Sequence, residues 1–257
     1  MIILNTDLDN TIIYSYKHDI GNDKINVEIY KEKQISFITR KTYSLLKKLN
    51  KDILIVPTST RTIEQYNRIN LNIGKIKYAL VCNGGILLVN GVKDEKWYEE
   101  SLKNVSESKQ ELEKAINLLT KENRRTMELR FIEQLFIFTK CVESENVVED
   151  LKKVLNKNLV DVFNNGEKVY VVPKRLSKGV AVKRFKKYIK GDYVISAGDS
   201  EFDISMLCES DIGLAPYGFS EKYKIDADII EAKENEVFSD FLLNKCLKIK
   251  DTYNVWN

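Results

Sequence analysis

Ile2-Ile3-Leu4 leads, two residues on, into Asp7-Leu8-Asp9-Asn10-Thr11, and this succession of a short apolar run and then a polar turn leaves few folds open. It returns at Ile53 to Val56 before Pro57-Thr58-Ser59-Thr60-Arg61, and at Tyr193 to Ala197 before Gly198-Asp199-Ser200. Short apolar runs of this kind are what strands buried on both faces give. Helical patterns lie between them. Ile38, Leu45, Leu46 and Leu49 recur at helical spacing around a Thr39 cap, and a second stretch runs to about Ile69. A third strand, Tyr78 to Cys82, closes on Asn83-Gly84-Gly85. Strand–helix–strand–helix–strand predicts a parallel α/β sheet. Ahead of Thr39, residues 12–33 read as a hairpin around Gly21-Asn22-Asp23, with Ile25, Val27 and Ile29 on one face.

The rhythm then changes. Residues 108–121 form an amphipathic helix with a Ser108/Glu111 capping box. Two strands follow in 127–142, a helix in 145–155, and strands 159–163 and 168–172 around the hairpin turn Asn164-Asn165-Gly166. This αββαββ block suits a small antiparallel sheet with helices on one face, an inserted second domain. After Pro173 the parallel rhythm resumes: helix 178–188, strand 193–197, helix 202–208, strand 212–215, a further strand at 228–230 and a closing helix over 237–246.

Composition excludes several classes. Lys+Arg number 41 against Asp+Glu 38, net +3, without the clustered basic excess of a nucleic-acid binder. No apolar run approaches the roughly 20 residues of a membrane span, and the N-terminus has neither a basic region nor a small-residue cleavage site. The expectation is a cytoplasmic protein with no membrane and no nucleic-acid partner. Cys82, Cys141, Cys208 and Cys246 form no CxxC pair, so four buried reduced thiols are expected. A single histidine, His18, weakens any histidine-based triad or metal site. Chemistry should run on carboxylates, hydroxyls and lysines.

Four polar clusters fall at or just beyond the C-terminal ends of strands, the edge at which open parallel sheets bind ligands. They are Asp7-x-Asp9-x-Thr11, Ser59, Lys178-Gly179 and Gly198-Asp199-Ser200-Glu201-Phe202-Asp203. Each alone is weak. In this order they resemble the four motifs of the haloacid dehalogenase superfamily of phosphatases, over nearly the whole chain. Asn83-Gly84-Gly85 looks like the turn of its Cof-like and sucrose-phosphate-phosphatase-like branch, and the insert is similar to that branch's type IIB cap. The resemblance implies a Rossmann-like core of residues 1–90 and 174–257, interrupted by an α+β cap of residues 91–173 that closes over the site and selects the leaving group.

The resemblance also implies a mechanism. Asp7 would be the nucleophile, forming an aspartyl-phosphate. Asp9 would protonate the leaving alcohol and then activate water; residues i and i+2 of an extended segment face the same side. Mg²⁺ would be held by Asp7, the Asp9 main-chain carbonyl and Asp199, with Asp203 in support or binding through water. Ser59 would hydrogen-bond a phosphoryl oxygen, with Thr60 and Arg61 beside it. Lys178 would pair with Asp7 and the transferring group. Phe202 stands where many relatives carry Asn, which bears on substrate class. Asn10 and Ser59 are milder departures. His18, Lys174, Arg175, Trp97 and Tyr98 read better as hairpin, linker or cap residues than as ligands.

The reading is a magnesium-dependent phosphomonoester hydrolase acting on a small phosphorylated metabolite, with a sugar phosphate as the best guess. Two rivals share its residues: a phosphotransferase or phosphomutase with the same intermediate, and a catalytically silent binding module. The full set Asp7, Asp9, Lys178 and Asp199 argues against the second. The physiological substrate and the oligomeric state are not written in the motifs.

Overall fold

The computed structural model describes residues 1–225 and 227–256. Five parallel strands lie in the order Ile229–Glu231, Ile212–Ala215, Tyr193–Ala197, Ile2–Thr6 and Leu54–Pro57. Ile2–Thr6, flanked on both sides, is buried at every position. Strand alternation sends Ile2 and Leu4 into one cluster with Leu46, Leu49, Leu242 and Leu243. Those leucines come from the helices Arg40–Leu49 and Phe238–Trp256. Each buried leucine contributes roughly 1.5–3 kcal/mol. Thr39 caps the first of these helices, its hydroxyl accepting from the Thr42 N–H at 2.8 Å. Among the described residues, no helix is long and apolar enough to cross a membrane.

Two compact units result, Met1–Lys93 with Lys178–Asn257, and Asp94–Ser177. The second holds the antiparallel sheet Val160–Asn165, Lys168–Pro173, Phe136–Lys140 and Arg130–Ile132. The helices Lys109–Thr120 and Ser144–Val154 supply Leu112, Leu119, Val147 and Leu151 to its core. The chain is thus α/β, a parallel sheet interrupted by an antiparallel insert.

Several local expectations are corrected. The 12–39 region is a three-stranded sheet, and its hairpin turns at Lys31-Glu32, both at positive φ, rather than at Gly21-Asn22-Asp23. Ile29 is exposed there, because a bulge around Glu28 breaks the alternation that Ile25, Val27 and Ile29 promise. Ile38 belongs to the strand Lys33–Thr39, ahead of the helix. Tyr78–Val81 does not enter the parallel ladder. Cys82, Asn83 and Gly84 take φ of 52°, 57° and 82° and reverse the chain, so it pairs antiparallel with Ile86–Val89. It meets the parallel sheet only through the isolated bridge Thr58–Leu80.

The Ser108/Glu111 capping box does not form. Ser108 donates instead to the Leu159 carbonyl at 2.9 Å, and Glu111 accepts from the Asn156 N–H at 2.7 Å. The helix Glu95–Val105, capped by Asp94 and anchored by buried Trp97, carries no apolar periodicity clear enough to announce it. Cys208 is exposed, the other three thiols are buried, and none of the four is in a disulfide.

Candidate active site

The site begins where Ile2–Thr6 runs out. The Asp7 N–H donates to the Ala197 carbonyl at 2.8 Å, extending the ladder by one residue and fixing where the Asp7 side chain leaves the sheet. The chain then coils over Leu8, whose carbonyl accepts from the Ile12 and Ile13 N–H groups at 2.9 and 2.8 Å. Asn10 takes a positive φ of 58° to allow this. The coil turns Thr11 Oγ1 onto Asp199 Oδ1 at 3.0 Å, tying the first cluster to the last.

Lys178 opens the helix Lys178–Ile189 and is 1% exposed. Its Nζ donates to Asp7 Oδ1 at 2.7 Å and to Asp203 Oδ1 at 2.6 Å. The other Asp203 oxygen accepts from the Asp199 N–H (3.0 Å), the Ser200 N–H (2.9 Å) and Ser200 Oγ (2.8 Å). Both Asp203 oxygens are therefore engaged, whereas those of Asp7 and Asp199 keep unshared lone pairs. Two glycines make this geometry possible. A Cβ on Gly198 would fall on Asp203 Cβ and Cγ, and one on Gly179 would fall on the Ser205 carbonyl of the adjoining helix.

Carboxylate oxygens of Asp7, Asp199 and Asp203 lie within 4.8 Å of one another, close enough to hold a metal ion together. Electrostatics fit that. Burial pushes the Asp7 carboxyl well above its usual range; Lys178 opposes the shift, while Asp203 and Asp199 add to it. Burial, then the Asp203 charge, pushes Asp199 up to about 7, and Thr11 works against the shift. Burial alone would strip the Lys178 proton, but Asp203 and Asp7 outweigh it and raise its pKa. One ammonium among three carboxylates leaves a shortage of positive charge. A hard divalent cation with oxygen ligands matches that donor set.

Ser59 is buried beside this cluster's loop. Its N–H donates to the Leu80 carbonyl at 2.8 Å, and its Oγ accepts from the Arg61 N–H at 3.2 Å. The reversed turn at Cys82-Asn83 braces the same loop: the Cys82 N–H reaches the Arg61 carbonyl at 2.8 Å and the Asn83 N–H the Ser59 carbonyl at 2.9 Å. Thr60 is half-buried between them. The Arg61 side chain is held between two carboxylates. Its Nε and Nη2 donate to the two Asp9 oxygens at 2.7 Å each, and Nη1 and Nη2 to the two Glu28 oxygens at 2.9 Å each. Nη1 also donates to the Gln65 carbonyl at 3.2 Å, so all five guanidinium N–H groups are engaged. The Asp9 carboxylate stands outside the three-carboxylate cluster and is half exposed.

The lesser residues resolve as local contacts. His18 is exposed and 3.5 Å from Ser15 Oγ. Lys174 pairs with Asp161 at 2.5 Å and Arg175 with Glu107 at 3.2 Å. Tyr98 donates its hydroxyl to the Glu133 carbonyl at 3.0 Å. Glu28 and Tyr14 carry no motif and escape the sequence reading. Tyr14 accepts from the Ser239 N–H at 2.9 Å and donates to the Thr11 carbonyl at 3.4 Å, behind the Thr11–Asp199 contact.

Comparisons with known proteins bear on the family and the fold. A family model described as haloacid dehalogenase-like hydrolase matches residues 86–239. The phosphoglycolate phosphatase of Sulfurisphaera tokodaii is 28% identical over 174 residues, 65% of this chain and 68% of the relative. Sucrose-phosphatase of Synechocystis sp. PCC6803, solved with sucrose and phosphate, is similar at a TM-score of 0.67 and 16% identity, over 97% of this chain and 98% of that one. A Thermoplasma acidophilum protein is similar at a TM-score of 0.60 and 14% identity, over 97% of each chain. At such identities the structural likeness speaks for the fold. The chain belongs to the haloacid dehalogenase-like hydrolases and is an enzyme of their phosphatase type.

Proposed function

We propose that this chain is a Mg²⁺-dependent phosphomonoester hydrolase working through an aspartyl-phosphate on Asp7. The observation that carries the reading is the buried ammonium of Lys178 on Asp7 Oδ1, beside the close set Asp7, Asp199 and Asp203. Lys178 opposes the effect of burial on Asp7, and the ionised carboxylate, favoured further once a cation is bound, is the nucleophile. The Asp7 oxygen forms its bond to phosphorus as the bond to the leaving oxygen breaks, and Asp9 gives that oxygen a proton. Asp9 then takes a proton from water as the water oxygen attacks phosphorus and the acyl phosphate bond breaks. The Ser59 hydroxyl, already accepting from Arg61, keeps its hydrogen to donate to a phosphoryl oxygen. Asp203 fixes Lys178 and the 199–200 backbone.

Mg²⁺, when bound, supplies the positive charge that lets carboxylates and a phosphate dianion share one site. Asp7, Asp199 and the Asp9 carbonyl would hold it, with Asp203 in support. The inserted unit Asp94–Ser177 serves as the cap that selects the substrate. That substrate is a small phosphorylated metabolite, with sugar phosphates first; the curated relative's name adds phosphoglycolate to those worth assaying.

The test is phosphate release from 4-nitrophenyl phosphate, phosphoglycolate and a panel of sugar phosphates, with Mg²⁺ and with chelator. Mg²⁺-dependent turnover, lowered by orders of magnitude in Asp7→Asn, is expected. Folded protein that hydrolyses no phosphate ester refutes the reading.

A further inference from the structure

The step just described does not use Glu28, yet this carboxylate is wholly withdrawn from solvent and two arginines converge on it. Besides the two bonds from Arg61, it accepts from Arg68 Nε at 3.1 Å and Ser36 Oγ at 2.6 Å. Burial favours its neutral form, but the hydrogen bonds from Arg61 and Ser36 and the two arginine charges win, and its pKa lies below the usual range. Burying an ionised group costs several kcal/mol, and well-packed apolar side chains often serve stability as well. Glu28 therefore calls for a geometric explanation.

The backbone supplies one. Register shifts on both sides of Glu28 turn Val27 and Glu28 inward together, although they are neighbours in one strand. The Asn70 N–H donates to the Val27 carbonyl at 2.8 Å, and Glu28 bridges Ile69, clamping the bulge to the loop that carries Arg68. So held, Glu28 takes one edge of the Arg61 guanidinium through Nη1 and Nη2. The adjacent edge, Nε and Nη2, then meets Asp9 as a parallel two-bond fork. The fork uses one lone pair on each Asp9 oxygen and leaves another on each to carry or receive a proton.

We propose that Glu28 is a positioning residue for proton transfer: acting through Arg61, it fixes the orientation of the Asp9 carboxylate toward the leaving-group oxygen. This rests on Asp9 as the acid–base residue. In the first half-reaction the proton leaves Asp9 for the departing oxygen as the phosphorus–oxygen bond breaks. In the second it returns to Asp9 from water. A carboxylate free to rotate on its stem delivers that proton less often in the reactive geometry.

Leaving-group dependence separates this role from a structural one. 4-Nitrophenolate departs without a proton, whereas phenolate needs one far more, and the two aryl esters differ little in shape. Turnover of 4-nitrophenyl phosphate and phenyl phosphate is measured for wild type, Glu28→Gln, Arg61→Lys and Asp9→Asn, with thermal unfolding of each. Glu28→Gln is expected to lower kcat/KM, which reports the step that expels the leaving group, about tenfold more on phenyl phosphate than on 4-nitrophenyl phosphate. Arg61→Lys keeps the charge but cannot span two carboxylates, and is expected to show the same bias. It decides the matter if Glu28→Gln does not fold. Asp9→Asn is expected to show the bias more strongly. Equal losses of kcat/KM on both esters, or no loss, in folded variants overturns the role of Glu28. Absence of bias in Asp9→Asn instead overturns the acid–base reading beneath it, and the two failures are thereby told apart.

Discussion

Lys178 Nζ lies 2.6 Å from Asp203 Oδ1, with the two side chains 1% and 0% exposed. A sealed ion pair of this kind is fragile to the loss of one member, because the other stays buried and uncompensated.

Lys178→Met is therefore expected to destabilise the chain by on the order of 3–5 kcal/mol and to abolish turnover. For a protein of this size that corresponds to roughly 10 °C or more in Tm. Urea unfolding of the variant beside Asp203→Asn checks it. A near-wild-type midpoint for Lys178→Met would contradict the buried pairing.

Stability should depend on pH and on the cation. Asp199, lifted to about 7 by burial and then by Asp203, and Asp7, lifted by burial against the pull of Lys178, bind protons in the folded chain that the unfolded chain has released above about 4. Between about pH 4 and 7 the folded state binds more protons, so metal-free stability falls as pH rises through that window. Mg²⁺ competes for the same oxygens. It should raise Tm by several degrees at about pH 8 and little at about pH 5. Thermal melts with chelator and with Mg²⁺ at both pH values decide the point; an equal response at both would refute the assignment.

Gly198→Ala should cripple the enzyme without removing a charged group. The added methyl would occupy the position of Asp203 Cβ and Cγ, so the carboxylate must give up the Asp199 and Ser200 N–H groups or Lys178. A loss of about 1–3 kcal/mol from overpacking is expected, with a fall in kcat of at least about a hundredfold as Lys178 and Asp199 lose alignment. Retained turnover would show that the 198–203 loop can relax.

The thiols give a simpler test of the packing. Cys208 is exposed while Cys82, Cys141 and Cys246 are buried. A thiol-titrating reagent should modify one cysteine in the native protein and four in denaturant. Rapid reaction of more than one native thiol would contradict the burial of the other three.

How far the sequence reaches is set by which interactions repeat. Ile2–Thr6 and Tyr193–Ala197 are legible because strands buried on both faces leave short apolar runs, and Asp7, Lys178 and Asp199 only because the four clusters, in their order, resemble the motifs of a known family. The Ser108/Glu111 box misled because the Leu159 carbonyl and the Asn156 N–H, distant in sequence, outcompete the local cap. Glu28 was invisible for a related reason: a bulge reverses side-chain alternation, and no composition marks this one. The partners of Arg61 are not legible in the sequence, since Asp9 lies 52 residues away and Glu28 33.

Lys178 is the first residue of the returning segment, and it follows Asp7 in the chain by 171 positions. At roughly 5–20 residues per second on the ribosome, Asp7 waits about 10–30 s for its counter-ion. Until then the strand Ile2–Thr6 also lacks its neighbour Tyr193–Ala197. The inserted unit is finished before the sheet that carries the chemistry can close. A nascent chain stalled before Lys178 therefore holds Asp7 without its ammonium partner.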